Sequence, residues 1–552
     1  MSIRETFQPK LFSSVKNYSK EQLAKDIISG IIVAIIALPL SIALAIASGV
    51  RPECGIYTAI IAGFVISFLG GSSVQIAGPT AAFASIVGGI VATHGFEGLV
   101  MATIMAGIIL IIMGFFKLGS LIRYIPYTIT TGFTAGIAIT IAIGQIKDFL
   151  GLTFVNSPLE TFDKIKEIGG CLHTINIQAA LIGILALAIL IIIPKFFKRI
   201  PPSLIAVIVC AMIVKACGLN VNTIGDLYTI SSAPPIPHLP VFSFPMIKAV
   251  LPNAFTIAVL AAVESLLSCV VADGMIGKTH NSNTELIAQG MGNICSALFG
   301  GIPATGAIAR TAANIKNGGR TPIAGIVHSI VLFIVLIVLM PYAALIPMPA
   351  IAAILFVVAY NMSEWRQFVT LTKSAPKSDI AVLITTFVLT VVFDLVIAIC
   401  AGFVLASILF MKRMADVTNV HGWKYGIDEN DPDSIHRKEV PKNTLVYEIT
   451  GPMFFGAADK LARVIQTAKT NGAVIIRMRT VPAVDATAIH SIETILRSCK
   501  KRHITLILSH VNEQPMGVFK KSHIYERIGE CNFCANIDEA LKRAGEITEK
   551  SS

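Results

Sequence analysis

Charge is scarce in this sequence. Only 14% of its 552 residues are Asp, Glu, Lys or Arg, against 54% that are hydrophobic, and the mean hydropathy is +0.75. A soluble chain carries about a quarter charged residues, so this one lacks the polar surface to cover a globule in water. The ten cysteines show no paired spacing of the kind that marks a disulfide scaffold. Cys210, Cys217, Cys269, Cys295 and Cys400 lie inside apolar runs, as small buried hydrophobes do. A lone CxxC, Cys531 and Cys534, has no second CxxC and no clear His partner, so neither a metal nor a cofactor is expected. No nucleotide-binding P-loop and no catalytic triad pattern is present, which argues against an ATP-driven pump or a hydrolase.

The charge that is there is unevenly placed. Met1 to Met411 holds 23 basic and 16 acidic residues, and the much shorter Lys412 to Ser552 holds 21 and 17. This pattern reads as a membrane domain over 1–413, a linker over 414–440 and a soluble domain over 441–552. The net charge of +11 does not point to nucleic acid. The membrane part carries its excess in loops, where Lys and Arg set topology, and the tail mixes signs, as in "DENDPDS" and "CKKRH". A basic stripe with interleaved aromatics is missing.

At about 20 apolar residues per crossing, the runs fall near 27–47, 55–70, 78–92, 98–116, 124–147, 175–194, 201–217, 252–272, 284–299, 304–315, 321–340, 342–360, 379–394 and 396–411. The first follows Lys10, Lys16, Lys20 and Lys25 and reads as a membrane helix rather than a cleaved signal. Fourteen crossings return both termini to one side. With that side cytoplasmic, the inner turns hold Lys117 and Arg123, then Lys195, Lys198 and Arg199, then Lys316 and Arg320, whereas Gly218 to Met246 on the other side has no basic residue. Both termini are therefore expected in the cytoplasm.

The third and tenth runs are short and interrupted, in "GGSSVQIAGPTAAFAS" and "FGGIPATGAIARTAAN". Irregular backbone at hydrocarbon depth is tolerated where it lines a cavity or is buried in protein. These two occupy equivalent places in two groups of seven, the sequence pattern of a transporter site at an inverted-repeat interface. Pro79 and Pro303 suit the first helical turn. The amides of Thr80, Ala81 and Ala82 and of Ala307, Ile308 and Ala309 would then form two positive helix ends, with Arg310 beside them, and an anion is the expected ligand. Glu264, in a span that begins near Pro252, lies about 18 Å deep by helical rise. A carboxyl there either carries a proton with the substrate or pairs with Arg310. Asp273, Asp394 and Lys215 fall at span ends, where capping or snorkelling accounts for them. Ser282 and Glu285 fit a capping box opening the ninth span.

The stretches "GPTAAFASIVGG", "ESLLSCVVADGM", "THNSNTELIAQGMGN", "FGGIPATGAIARTAANIKNGGRTP" and "VVFDLVIAICAGFVLASILFMKRM" resemble the SulP (solute carrier 26) anion transporter family. "ESLLS", "NMSE" and "QIKDFLGL" look most like its bacterial C4-dicarboxylic acid branch. The resemblance implies a polytopic α-helical membrane protein with fourteen segments in a seven-plus-seven inverted repeat. A core domain of spans 1–4 and 8–11 would slide against a gate domain of 5–7 and 12–14. It also implies a homodimer and a C-terminal α/β STAS domain. Thr80 to Ala82 and Ala307 to Ala309 match the family's anion-facing helix ends, and Leu40 and Ser41 match pocket-lining positions of the first span. Glu264 matches the acidic position tied to proton coupling. The Glu264–Ser265 pair departs from the sodium-using pattern, and Leu44 and Ala309 depart from the channel-like and motor branches.

In the tail, "TLVYEIT", "AVIIRMR" and "ITLILS" read as strands between helical stretches, and "PMFFGAADKLARVI" and "VPAVDATAIHSI" resemble a STAS domain. Thr487 stands near the place of that domain's phosphorylated hydroxyl. A cytoplasmic protein is a further expected partner. The leading expectation is proton-coupled transport of C4-dicarboxylates such as succinate, fumarate and aspartate. Sulfate or bicarbonate transport, and a membrane-anchored signalling protein with vestigial transport, are the alternatives.

Overall fold

The computed structural model describes residues 7–551 apart from 17, 121–125, 157, 159, 197–200, 241–242, 394, 418, 423–437 and 455–471. Asp394, Arg123, Lys198, Arg199, the body of the linker and all of the STAS-like stretch "PMFFGAADKLARVI" after Phe454 lie outside the described residues. The chain divides into two compact units, Met1–Phe403 and Val404–Ser552.

Hydrocarbon offers backbone groups no partner, so each apolar run closes its own hydrogen bonds as a helix. The membrane helices are α1 (Lys20–Ala47) and α2 (Pro52–Leu69), followed by one run, Ala84–Phe115, that breaks at Gly95. Gly95 has φ 70° and ψ −176°, a conformation that side-chain-bearing residues avoid, and the parts 84–94 and 96–115 serve as α3 and α4. Then come α5 (Tyr127–Leu150), α6 (Ile177–Phe196), α7 (Pro202–Cys217), α8 (Phe244–Ile276), α9 (Ser282–Leu298), α10 (Ile308–Lys316), α11 (Ile323–Ala343), α12 (Met348–Ser363), α13 (Lys377–Val392) and α14 (Leu395–Val417). Every expected crossing has its helix. Among the described residues, nine helices are long and apolar enough to span a bilayer unaided. The 9-residue α10 is far too short to do so.

The packing repeats itself. α8 and α9 lie on the Ala84–Phe115 run, and seven places on, α11 lies on α1 and α2 while α10 lies on α1. α5 packs on α13 and α12 packs on α6; α2 with α9 and α5 with α12 are their own counterparts. One bundle gathers α1–α4 with α8–α11, and another gathers α5–α7 with α12 and α13. For these pairs a shift of seven maps one contact onto another, as an internal repeat requires.

Three local expectations are corrected. α8 opens at Phe244, not near Pro252, and carries that proline inside it. The start of α9 is capped by Asn281, whose Oδ1 accepts from the Asn283 and Thr284 N–H groups at 3.1 Å each, rather than by a Ser282–Glu285 box. Ser282 turns instead to His280 Nε2 at 2.9 Å, and His280 Nδ1 meets Asp273 Oδ2 at 2.7 Å. Of the intramembrane cysteines, Cys210 and Cys269 are buried as expected, whereas Cys217 and Cys400 are exposed.

Two short strands, β1 (Ala77–Gly78) and β2 (Thr305–Gly306), pair antiparallel inside the membrane unit. The second unit holds a five-stranded sheet in the order β3 (Asn419–Gly422), β4 (Thr444–Thr450), β5 (Ala473–Thr480), β6 (Thr505–Ser509), β7 (Phe533–Cys534). β3 and β4 are antiparallel and the rest parallel. Alternation along β5 sends Val474, Ile476 and Met478 into the core with Ile492, Ile495 and Phe519, and Ile475 into the core with Ile537, Ala540 and Ala544. The helices involved are α15 (Ala486–Lys501), α16 (Glu513–Lys521) and α17 (Ile537–Ser551). Both faces covered by helix is the arrangement a buried parallel sheet needs.

Candidate anion site

The site is built on the crossing of β1 and β2. Ala77 stands opposite Gly306 and Gly78 opposite Thr305, and the Ala307 N–H continues the pairing onto the Ile76 carbonyl at 2.9 Å. Antiparallel pairing sends the two following segments away in opposite directions. One passes through Thr80 into a 3-10 turn, Ala81–Phe83, and then α3; the other passes through Ala307 into α10. Pro79 and Pro303 therefore lie before the helices and not in their first turns, as expected from sequence; they lead the chain into and out of the strand crossing.

Neither helix start has a side-chain cap. Their first N–H groups are the orphan donors that make a helix N-terminus attractive to anions. Ala81 and Ala82 are buried, Thr80 is half-buried, and Ile308 and Ala309 are exposed. Arg310 is 2% exposed and donates from Nη2 to the Pro79 carbonyl at 2.9 Å. That bond ties the first turn of α10 to the residue before Thr80, so both helix starts lie within one side-chain length. A Cβ on Gly78 would run into Arg310 Nη1, and one on Gly306 into the Gln75 amide. A side chain at either place would displace the Arg310 guanidinium or the Gln75 amide.

Thr80 Oγ1 donates to Glu264 Oε2 at 3.0 Å. The half-buried Glu264 of α8 is thus joined to the start of α3, and among the described residues no ion pair links it to Arg310. Of the two roles left open for Glu264, the structural pair with Arg310 is not formed. Leu40 is half-buried. Ser41 is fully buried with its carbonyl against Gly55, and no hydrogen bond ties its hydroxyl to the crossing. Thr487 is exposed in the first turn of α15, whose cap is Asp485 accepting from the Ala488 N–H at 2.8 Å. Among the described residues no cluster of His, Cys, Asp and Glu has the make-up of a metal site. Burial pushes the Cys534 thiol up from its ordinary range.

Sequence reasoning missed the scaffold around the crossing. Ser265 Oγ and Thr305 Oγ1 are 2.6 Å apart, the Gly306 N–H donates to Ser265 Oγ at 3.1 Å, and the Ile76 N–H donates to Thr311 Oγ1 at 3.1 Å. Asn314 Nδ2 donates to the Val74 carbonyl at 2.8 Å, and Ser29 Oγ donates to Asn314 Oδ1 at 2.7 Å. Glu285, taken for a cap, is a fully buried carboxylate. It accepts from the Gly71 N–H (2.9 Å), the Ser72 N–H (3.2 Å), Gln75 Nε2 (3.0 Å) and Gln289 Nε2 (2.9 Å), and so holds the loop that leads into β1. Hydroxyls every three or four residues on α8, Ser265 and Ser268, were the available signal.

Two uncapped half-helices crossing inside a repeated helical bundle are the architecture of a membrane transporter. The chain belongs to the sulfate permease family, which it matches over residues 23–386, with a STAS domain over 436–540. It is a multi-pass membrane protein of an anion transporter family, and not an enzyme. It is 40% identical to "Putative sulfate transporter YvdB" of Bacillus subtilis (strain 168), over 95% of this chain and 98% of that one. It is 29% identical to "Bicarbonate transporter BicA" of Picosynechococcus sp., over 94% of each. Among solved structures, the transmembrane domain of a cyanobacterial BicA aligns with TM-score 0.63 at 30% identity, covering 69% of this chain and 98% of that one. Murine Slc26a9 in its inward-facing state aligns with TM-score 0.87 over 99% of this chain and 94% of that one; at 18% identity it speaks to the fold alone.

Proposed function

We propose that this chain moves a small oxyanion across the cell membrane together with a proton, the bundle α1–α4 with α8–α11 sliding against the other helices. The observation that carries this reading is the Thr80–Glu264 hydrogen bond beside two uncapped helix starts. An anion on the Ala81 and Ala82 amides lies next to the Glu264 carboxyl and repels it when it is ionised, so a proton on Glu264 and an anion on the amides assist each other. The binding set is Thr80, Ala81, Ala82, Ala307, Ile308 and Ala309, with Arg310 supplying field from beneath and Leu40 and Ser41 lining the first-span side.

Sulfate is the first substrate, supported by the 40% identity to a relative of that name. C4-dicarboxylates are the second reading, supported by "ESLLS", "NMSE" and "QIKDFLGL". The protein acts as a homodimer with cytoplasmic termini, and its STAS domain meets a cytoplasmic protein on the face that carries Thr487. Uptake of radiolabelled sulfate, succinate and bicarbonate into proteoliposomes, with and without an inward proton gradient, tests the proposal. Gradient-driven accumulation of sulfate supports it; uptake of none of the three, or uptake indifferent to the gradient, rejects it.

A further inference from the structure

A slot of about 300 Å³ lies between α1, α7 and α11, and none of the residues of the strand crossing lines it. Pro39 of α1 and Ala211 of α7 put little side chain into it, and this leaves the gap. Its lining from Leu204 to Lys215 covers about 16 Å along α7 at the rise of an α-helix, so the slot is long and narrow and follows the helix. Ile208, Met212 and Leu339 on its rim are exposed, so it opens sideways to hydrocarbon. Lys215 and Tyr342 supply the only polar side chains of the lining. Water needs two to four polar partners to settle in a cavity, and this one does not provide them along its length. An apolar gap left empty forfeits dispersion contacts on every wall. Within a bilayer, where association rests on such packing, the available filler is an acyl chain.

The end of the slot is marked by charge. Lys215 is exposed in the last turn of α7, just before the left-handed Gly218 that ends the helix, and among the described residues no carboxylate pairs with it. A lysine at that level reaches the headgroup layer, where a phosphate carries the complementary charge.

We infer that this slot binds one acyl chain of an anionic phospholipid whose phosphate pairs with Lys215. The site joins helices of both bundles, α1 and α11 from one and α7 from the other, so the bound chain packs between them. Native mass spectrometry of the full chain with added phosphatidylglycerol or phosphatidylcholine of matched chains tests this. The wild type should retain one phosphatidylglycerol per chain at least tenfold more tightly than phosphatidylcholine. Lys215→Gln should remove that preference, and Ala211→Phe should weaken both lipids at least tenfold. A preference that survives Lys215→Gln, or binding unchanged by Ala211→Phe, overturns the assignment. Should Ala211→Phe fail to fold, a fluorophore on Met212→Cys decides. Quenching by brominated phosphatidylglycerol beyond that by the brominated phosphatidylcholine supports the site, and equal quenching overturns it.

Discussion

Replacing Glu264 by Gln keeps the shape of the side chain and its ability to accept from Thr80, and removes the ionisable group. The magnitude follows from the geometry. Thr80 Oγ1 is 3.0 Å from the carboxylate, and an anion on the neighbouring Ala81 and Ala82 amides would sit about 6 Å from that charge, which at an effective dielectric of about 20 gives roughly 3 kcal/mol of repulsion per negative charge. About 3 kcal/mol corresponds to a change of roughly a hundredfold in affinity. In the wild type, therefore, apparent anion affinity should strengthen by about two decades for each negative charge the anion brings that close as the medium is acidified, because proton and anion must raise each other's affinity by the same factor. Glu264→Gln should hold the tight affinity at every pH and should catalyse exchange of labelled for unlabelled anion. It should lose accumulation driven by a proton gradient. Proteoliposome uptake and counterflow, run side by side on both proteins, separate these functions. If Glu264→Gln still concentrates substrate under a proton gradient alone, the coupling argument fails.

Other expectations rest on separate contacts. Gly78→Ala and Gly306→Ala should each slow transport, since the added methyl pushes on Arg310 or Gln75; uptake near the wild-type rate in either would contradict the close crossing. Glu285→Ala leaves four buried donors without an acceptor and should cost about 3 kcal/mol or more of stability; Ser282→Ala, which leaves the Asn281 cap intact, should cost under about 0.5 kcal/mol, and thermal unfolding of the detergent-solubilised protein compares them. Thr487→Glu adds an acid to the exposed first turn of α15 and should leave unfolding of the STAS unit unchanged or raised by about 0.5 kcal/mol; its collapse would show that Thr487 is not free to take a phosphate. Ile230→Cys should react with an impermeant thiol reagent on intact cells and Tyr425→Cys should not; the reverse pattern would invert the topology.

The helices were legible because hydrocarbon leaves no other way to satisfy backbone groups, so fourteen apolar runs became fourteen helices. The broken third and tenth spans were legible from misplaced Gly and Pro. The strand pair between them was not. Each strand has two residues, and Ala77 and Gly306 are too far apart in the chain for any local pattern to link them. That pairing is also why the prolines sit ahead of the helices. Glu285 misled for a related reason: Ser-x-x-Glu before an apolar run is a true cap signal, but the neighbouring Asn281 took the cap, and the carboxylate found partners on a loop more than 200 residues away. Glu264 stood out in the sequence as a carboxyl inside an apolar span, although that span starts eight residues earlier than expected, at Phe244, and its partner Thr80 required the fold.

The central claim is that the anion rests on the backbone amides of two crossed half-helices. Backbone ¹⁵N chemical shifts of the full-length protein in lipid nanodiscs, titrated with sulfate and with succinate, test it directly. The amides of Ala81, Ala82, Ile308 and Ala309 should move together along one saturable curve, while those of β5 in the STAS unit stay still. Saturable binding that leaves these four amides unmoved would contradict the account.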